Sequence, residues 1–352
     1  MVSIASTRGH QNVSMLGIGA YRPKRLISND ELCEVLDSSD EWIYERSGIR
    51  NRRWISGDES SRQMAVAASE RAIQSSGIDR AEIGAVILAT STWKTLVPHG
   101  APIVAHDLGM NGVAAFDITA GCAGFGYGLS VAADHIRAGS AKYVLVIGVE
   151  TMSLGLDPTD RGTGFIFGDG AGAVVVGPSE ENGISPTVWG SDGENSTAIS
   201  QEYDLVEYMD RAERLQGTGS TDEKVGRLVI RMDGQRVFRW AAITLPKALR
   251  SVIESSGVSA EDIDVFIPHQ ANGRINDLMK KNLGLGEGVP VANDIENTGN
   301  TSAASIPLAI EEMLVTGKAK GGQIALLLGF GAGLSYAGQV VKLPPAPVEP
   351  SF

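Results

Sequence analysis

Cys122 is the residue whose local sequence best suits covalent chemistry. It lies in ITAGCAGFGYGLSVAADHI, where glycines permit a sharp turn and small and apolar residues follow at helical spacing. A thiol at a helix N-terminus is favoured as the nucleophilic thiolate, because exposed N–H groups and the helix dipole stabilise negative charge and lower its pKa. The alternative is a buried structural cysteine. Cys33 lies in the amphipathic run NDELCEVLD without such a turn, and we expect it to be an ordinary helix residue.

His269 and Asn300 could supply hydrogen bonds from two further turns. His269 directly ends the apolar run DVFIPH, whereas the remaining histidines fall in a tail, a loop or helix-like runs. A histidine at a strand end can point into a cleft, although a lone imidazole can equally be a satisfied core or surface residue. Asn300, in IENTGNTSAASIP, is either a turn or N-cap residue or a donor to a developing oxyanion.

An internal repeat predicts the elements that position these residues. The stretches 72–83 (AIQSSGIDRAEI) and 252–263 (VIESSGVSAEDI) share five residues at an offset of 180. Each is typical of a helix end, a glycine stop and a turn into a buried strand. Segments beginning at Asp117 and Asp294 also correspond, at an offset of 177, and each is typical of a glycine turn, a helix of small residues, a loop and a strand that ends in glycine. We therefore predict an α/β protein of two similar halves, residues 1–180 and 181–352, whose facing strand ends bring Cys122, His269 and Asn300 to one site.

Composition excludes several classes of protein. The net charge of −12 argues against nucleic-acid binding, which needs a broad basic surface. Two cysteines fit a reducing compartment rather than a disulfide scaffold, and the N-terminal segment does not resemble a signal peptide. The charge-free segment 321–341 contains six glycines and is better interpreted as a buried strand and a turn than as a membrane span. We expect a soluble, cytoplasmic protein that does not enter membranes.

Several motifs in one order resemble the ketoacyl-(acyl-carrier-protein) synthase III family. They are GCAGFGYGLS around Cys122, IPHQANGRI around His269 and GNTSAASIPLA around Asn300, together with DSSDEWIYERSGIRNRR, DPTDRGTGFIFGDGAGAVVVG and LLLGFGAGLSYAGQVV. The resemblance spans residues from about 13 to 343. It implies a thiolase-like, five-layered αβαβα sandwich of two duplicated halves. It also implies an acyltransferase of the EC 2.3.1 class that initiates fatty acid synthesis.

The family chemistry assigns a role to each candidate residue. Cys122 would take the acyl group of an acyl-CoA as a thioester, with the oxyanion held by the backbone N–H groups of Cys122 and Ala332. His269 and Asn300 would bind the thioester oxygen of malonyl-(acyl carrier protein), whose decarboxylation gives a thioenolate that attacks the acyl-cysteine. The chemistry requires no cofactor or metal, since the CoA thioester and the carrier protein are substrates.

The resemblance also implies binding residues and a homodimer. The residues expected to bind CoA are Trp42, Arg46, Arg161 and Asn272. Those expected to receive the carrier protein are Gln270, Arg274, Arg239 and Lys281. In some family members an aromatic residue of the partner subunit closes the acyl pocket, and Val97 in TWKTLVPHG takes that position here. A smaller side chain favours a primer that is longer or more branched than acetyl.

Other functions stay open at this point. A relative with the same fold could transfer acyl groups to a hydroxyl or amine in a secondary pathway, although such transfer does not need both His269 and Asn300. A Cys-His-Asn thioester hydrolase would release free acid instead. A non-catalytic binding protein is expected to have lost at least one of the three residues. The polar segment 193–227 supports no prediction.

Overall fold

The computed structural model describes residue 4 and residues 6–218 and 228–348. Its strands are β1 (Val13–Tyr21), β2 (Arg25–Ser28), β3 (Asn51–Trp54), β4 (Ile83–Ala89), β5 (Ala114–Ile118), β6 (Tyr143–Thr151), β7 (Asp169–Pro178), β8 (Val188–Ser191), β9 (Ile199–Gln201), β10 (Ile230–Met232), β11 (Val265–Pro268), β12 (Ile324–Gly331) and β13 (Ser335–Lys342). Its α-helices are α1 (Asn29–Cys33), α2 (Asp40–Ser47), α3 (Ser61–Ser76), α4 (Gly100–Asp107), α5 (Gly124–Ala138), α6 (Leu205–Thr218), α7 (Gly234–Ser256), α8 (Gly273–Leu283), α9 (Ile295–Thr298) and α10 (Ser305–Val315). Residues 219–227, the last part of the polar segment 193–227, lie outside the described residues.

Two mixed sheets have matching strand orders. The first has the order β1-β7-β6-β4-β5, and the second has the order β11-β12-β13-β8. When the second order is reversed, β8 takes the position of β1, β13 that of β7, β12 that of β6 and β11 that of β4. Val291 forms a parallel bridge with Phe266 of β11, and this bridge corresponds to the parallel pairing of β5 with β4. The first set of strands ends before residue 180 and the second begins after it, which supports the proposed division into residues 1–180 and 181–352.

Helices cover both sheets and separate them. The apolar sides of α5 and α10 share one core cluster with the inner faces of the two sheets. Helices α3 and α4 pack on the outer face of the first sheet, and α7 and α8 pack on the outer face of the second. Because β4, β6 and β12 are covered on both faces, they are nearly continuous apolar runs. The layers therefore alternate helix, sheet, helix, sheet, helix, which confirms the predicted αβαβα order.

The repeated helix stops form as predicted. Helix α3 ends at Gly77, with φ of 67°, and α7 ends at Gly257, with φ of 81°. A left-handed residue after a helix is favourable for glycine because it has no Cβ. After each stop a short 3-10 turn leads into β4 or β11. Cys33 closes the short helix α1, as expected from its amphipathic run.

The charge-free segment near the C-terminus is a hairpin. Strand β12 pairs antiparallel with β13 from Ile324 opposite Lys342 to Gly331 opposite Ser335. This confirms the interpretation of that segment as a buried strand followed by a turn. Among the residues that the structure describes, none of the helices has the length and apolar character needed to cross a membrane.

Candidate active site

Cys122 lies where a tight turn enters the central helix α5. The 3-10 turn Gly121–Ala123 precedes α5, and Gly121 has φ of 52°, a conformation that favours glycine. The end of β12 passes close to the thiol: a Cβ at Gly331 would lie 2.8 Å from Cys122 Sγ. Glycine at both positions therefore lets the backbone of the second half approach the cysteine of the first.

Burial decides the ionisation of this thiol. Cys122 is 9% exposed. Burial raises the pKa of the thiol to about 11, and the nearby carboxyl group of Glu150 also raises it; the lowering effects of the Ser302 side chain and of the backbone N–H groups of Ala332 and Cys122 are smaller than that of burial. The expectation of a pKa lowered by the helix N-terminus is therefore wrong. The local sequence indicated the helix start but not the loss of solvent around the thiol.

His269 is a buried, neutral imidazole. It follows β11, is 1% exposed, and packs edge-on against Phe330 with ring centroids 5.2 Å apart. Burial lowers its pKa to about 3. No proton is therefore added to the ring at neutral pH, where it can only accept at one nitrogen and donate at the other.

Ser305 sets which nitrogen of His269 carries the proton. The Ser305 hydroxyl lies 2.6 Å from His269 Nδ1 and accepts a hydrogen bond of 3.4 Å from the backbone N–H of Gln270. The hydroxyl hydrogen is then best donated to Nδ1, and the ring proton is assigned to Nε2. No local pattern indicated this contact, because Ser305 lies 36 residues from the histidine.

Asn300 presents an oriented amide. It is 6% exposed, and its Oδ1 accepts a hydrogen bond of 2.8 Å from the backbone N–H of Ser302. Its backbone bonds to Ile166 and Gly168, so residues before β7 hold the turn. With Oδ1 occupied in this way, the NH₂ group is the part of the side chain that is available as a donor.

The side chains of Cys122, His269 and Asn300 line one cavity of about 150 Å³. Asn272 and Ala332 also line it. Its remaining wall is largely apolar and includes Met152, Ile166, Phe167, Ile199, Ile230, Met232, Val237, Phe238 and Phe330. Residues far apart in the sequence thus converge, as the duplication predicted. The cavity brings together a thiol, two neutral donors and an apolar wall.

Ser302, which lines this cavity, and Glu150, to which Ser302 donates, were both missed by the sequence interpretation. Glu150 is a fully buried acid near the end of β6, and Ser302 connects it to Cys122. A charged residue inside the apolar run YVLVIGVET was a signal that could have identified Glu150. Ser302 is an unremarkable residue of a small-residue turn in the sequence, and only its contacts single it out.

The residues expected to bind CoA form a cluster around Trp42. The guanidinium groups of Arg46 and Arg161 lie 4.6 Å and 5.0 Å from the centroid of its ring. Phe165 supports the ring edge-on at 5.5 Å. Asn272 is the N-cap of α8 and donates to the carbonyl oxygen of Arg46 at 3.0 Å, which ties this cluster to the cavity.

The expected carrier-protein residues divide into two groups. Arg239 on α7 and Arg274 and Lys281 on α8 are exposed, in agreement with a docking surface. Gln270 is fully buried, and its amide bonds to the backbone of Pro268, Ala292 and Ile295. Its assignment to carrier-protein binding is therefore corrected, since a partner cannot reach it; its role is to hold the chain after His269.

Val97 lies on the loop between β4 and α4 and is 83% exposed, next to the exposed Leu96. It is not among the residues of its own chain that line the cavity. A role in an acyl pocket would therefore require a second subunit.

Comparison with known proteins extends the likeness over the whole chain. Residues 253–343 match the family model described as 3-oxoacyl-[acyl-carrier-protein (ACP)] synthase III C terminal, and residues 116–193 match the model for 3-oxoacyl-[acyl-carrier-protein (ACP)] synthase III. A beta-ketoacyl-[acyl-carrier-protein] synthase III from Mycobacteroides abscessus is 53% identical over 349 residues, 99% of this chain and 100% of that protein.

Solved structures also resemble this chain over nearly its whole length. The priming beta-ketosynthase from the R1128 polyketide biosynthetic pathway superimposes with a TM-score of 0.91 at 43% identity, covering 98% of this chain and 99% of that one. The 3-oxoacyl-[acyl-carrier-protein] synthase III from Aquifex aeolicus gives a TM-score of 0.84 at 36% identity, covering 94% of this chain and all of that one. These likenesses confirm the predicted thiolase-like fold. The chain belongs to the beta-ketoacyl-[acyl-carrier-protein] synthase III family of acyltransferases.

Proposed function

We propose that this protein condenses an acyl-CoA primer with malonyl-(acyl carrier protein), releasing CO₂ and giving a beta-ketoacyl-(acyl carrier protein) that starts fatty acid synthesis. The observation that carries this proposal is the convergence of Cys122 with two neutral donors, His269 and Asn300, in one largely apolar cavity. The family membership supports it over the whole chain.

The first half-reaction uses the thiol and two backbone donors. Cys122 Sγ attacks the thioester carbonyl of the acyl-CoA, and the CoA thiolate leaves. The backbone N–H groups of Cys122 and Ala332 are close enough to Sγ to lower the pKa of the thiol, and we propose that they donate to the carbonyl oxygen as it becomes an oxyanion next to that atom. Because these donors are fixed by the turn before α5 and by the β12–β13 hairpin, they need no rearrangement during the reaction.

The second half-reaction uses the two neutral side chains. His269 Nε2–H and the Asn300 amide donate to the thioester oxygen of the malonyl group. When the bond to the carboxylate breaks, its electron pair forms a thioenolate whose negative charge rests on that oxygen, and CO₂ leaves. Uncharged donors stabilise this charge as it develops. The carbanion carbon then attacks the acyl-cysteine and displaces the Cys122 thiolate.

The geometry disfavours the hydrolase. A Cys-His hydrolase needs an imidazole that accepts the thiol proton, and burial lowers the pKa of His269 to about 3. The nitrogen that could accept, Nδ1, is engaged by Ser305 at 2.6 Å. The simple acyltransferase has no use for the donor pair that the cavity presents.

We propose further that CoA binds at Trp42, with its adenine on the indole face between Arg46 and Arg161. The distances of both guanidinium groups from the ring support this arrangement. The carrier protein would dock on Arg239, Arg274 and Lys281, whose exposed positive charge suits an acidic partner and mainly accelerates encounter.

We also propose a homodimer in which Val97 closes the partner's acyl pocket. Its exposure beside Leu96 supports a contact with another subunit. CoA and the carrier protein act as substrates, and the proposed reaction uses no resident cofactor. Free Cys33 and Cys122 are compatible with the proposed cytoplasmic location.

Separating the half-reactions tests the proposed function. His269→Ala and Asn300→Ala should still load an acyl group onto Cys122 from acyl-CoA, as measured by intact-protein mass. Decarboxylation of radiolabelled malonyl-(acyl carrier protein) should fall by about 10²-fold or more in each variant. Equal losses of loading and decarboxylation, or free acid as the main product of the wild type, would contradict the proposal.

A further inference from the structure

Glu150 is a buried carboxyl group that the two half-reactions do not use. It lies near the end of β6 and is fully buried. Within residues 6–218 and 228–348 no lysine or arginine forms an ion pair with it. Burying a carboxylate without a cation is costly unless hydrogen bonds compensate, so its retention beside the cavity requires an explanation.

Uncharged donors surround this carboxyl group. Thr92 donates through its hydroxyl at 2.6 Å, Ser91 through its backbone N–H at 3.1 Å, and Ser302 through its hydroxyl at 3.0 Å. Burial nevertheless raises the pKa of Glu150 to about 7. The group can therefore exist with or without a proton near neutral pH, which is the property that a proton acceptor needs.

Ser302 connects Glu150 to the reacting sulfur. Its one hydroxyl hydrogen is donated to Glu150 Oε1 at 3.0 Å. Ser302 and Cys122 line the same cavity, so the hydroxyl oxygen is left to accept from the neighbouring Cys122 thiol. Its backbone has φ of 49°, an uncommon conformation for a residue other than glycine, and its N–H orients Asn300. Strain of this kind persists where the surroundings fix the residue, and here it places one hydroxyl between a thiol and a carboxylate.

We propose that Glu150 accepts the proton of the Cys122 thiol through the Ser302 hydroxyl, holds it while the cysteine is acylated, and returns it when the product leaves. The inference rests on the proposed function. It supplies what the site otherwise lacks, because burial keeps the thiol protonated near neutral pH and His269 cannot act as its base.

The protons and electrons balance over the cycle. The S–H bond of Cys122 breaks as its proton moves to Ser302 Oγ, while the Ser302 hydroxyl proton moves to Glu150 Oε1. The thiolate then displaces CoA, and the CoA thiolate takes a proton from solvent. After the thioenolate has displaced the Cys122 thiolate, Ser302 passes a proton to Sγ and regains one from Glu150. The net consumption is one solvent proton per turnover, and that proton appears on the thiol of CoA.

Two variants interrupt this path at different points. Glu150→Gln keeps the shape of the side chain but cannot accept the proton. Ser302→Gly removes the hydroxyl, and glycine is compatible with the positive φ at that position. Pre-steady-state loading of Cys122 from lauroyl-CoA, followed by intact-protein mass, should be about 10²-fold slower at pH 7 in both variants.

The pH dependence of loading separates proton transfer from a structural defect. Without the internal acceptor the thiol proton must go to solvent, so loading in the variants should rise about tenfold per pH unit above pH 7 and approach the wild-type rate.

Each outcome of this experiment is decisive. Variants that load as fast as the wild type at pH 7, or slow variants that high pH does not rescue, would overturn the proton path while leaving the condensation intact. A wild-type protein that neither loads an acyl group nor forms a beta-ketoacyl product would instead refute the proposed function itself.

Discussion

The buried imidazole of His269 should make this protein sensitive to acid in a predictable way. Its pKa is lowered from 6.5 to about 3 in the folded protein, so the unfolded chain binds the proton more readily. Stability contributed by the neutral ring is present above pH 6.5, the unfolded pKa, and is lost as pH falls below it toward the folded pKa of about 3. Integrated between pH 7 and pH 5, this linkage lowers the free energy of unfolding by roughly 2 kcal/mol.

A variant that does not titrate isolates this effect from other groups. His269→Asn keeps an amide near the position of Nδ1 but has no proton to gain. The free energy of unfolding, measured by urea denaturation, should fall between pH 7 and pH 5 by roughly 2 kcal/mol more in the wild type than in the variant. The matched control is His10→Gln, which changes an exposed histidine far from the cavity and should keep the wild-type pH dependence.

The neutral imidazole of His269 should also affect how decarboxylation depends on pH. Because the ring stays neutral well below pH 6.5, protonation of His269 should not reduce decarboxylation near that pH. Any decline that the wild type shows near pH 6.5 should therefore also appear in the His269→Asn variant. If the wild type and His269→Asn lose equal stability on acidification, the imidazole is not held neutral by burial. The assignment of Nε2–H as a permanent donor would then fail.

Three further predictions concern the nucleophile, the primer and CoA. Cys122→Ala should abolish acyl loading while Cys33→Ala leaves it nearly intact; an acyl adduct on the Cys122→Ala protein would remove the nucleophile assignment. Val97→Phe should overpack the acyl pocket across the proposed dimer at a cost of about 1–3 kcal/mol for long primers, a shift of about 5- to 150-fold in relative kcat/KM toward acetyl-CoA. Competition among acetyl-, isobutyryl- and dodecanoyl-CoA measures it, and an unchanged preference order would show that Val97 does not line the pocket. Trp42→Ala should raise KM for acyl-CoA by roughly 5- to 150-fold through lost stacking, but should leave loading from an acyl-pantetheine thioester without a nucleotide unchanged; equal losses with both substrates would show that the adenine does not bind on the indole face of Trp42.

Local sequence determined the elements and the turns that carry the chemistry. Gly77 and Gly257 ended their helices because glycine is favoured in the left-handed conformation that follows a helix. The apolar runs after them became strands covered on both faces, and the repeat of both features predicted that two halves would face each other. The positions of Cys122, His269 and Asn300 at one cavity followed from that arrangement, because strand ends of facing halves meet.

Tertiary structure alone decided the ionisation states and the partners of these residues. A helix start was visible around Cys122, but desolvation depends on every segment packed around the thiol, and it reversed the expected direction of the pKa. Gln270 is one residue from His269 in the sequence, yet folding buried it against its own backbone instead of exposing it to a carrier protein. The contact from Glu150 through Ser302 to Cys122 joins residues from three separate segments. No local pattern encodes it, because hydrogen bonds between distant segments depend on where the packed core places them.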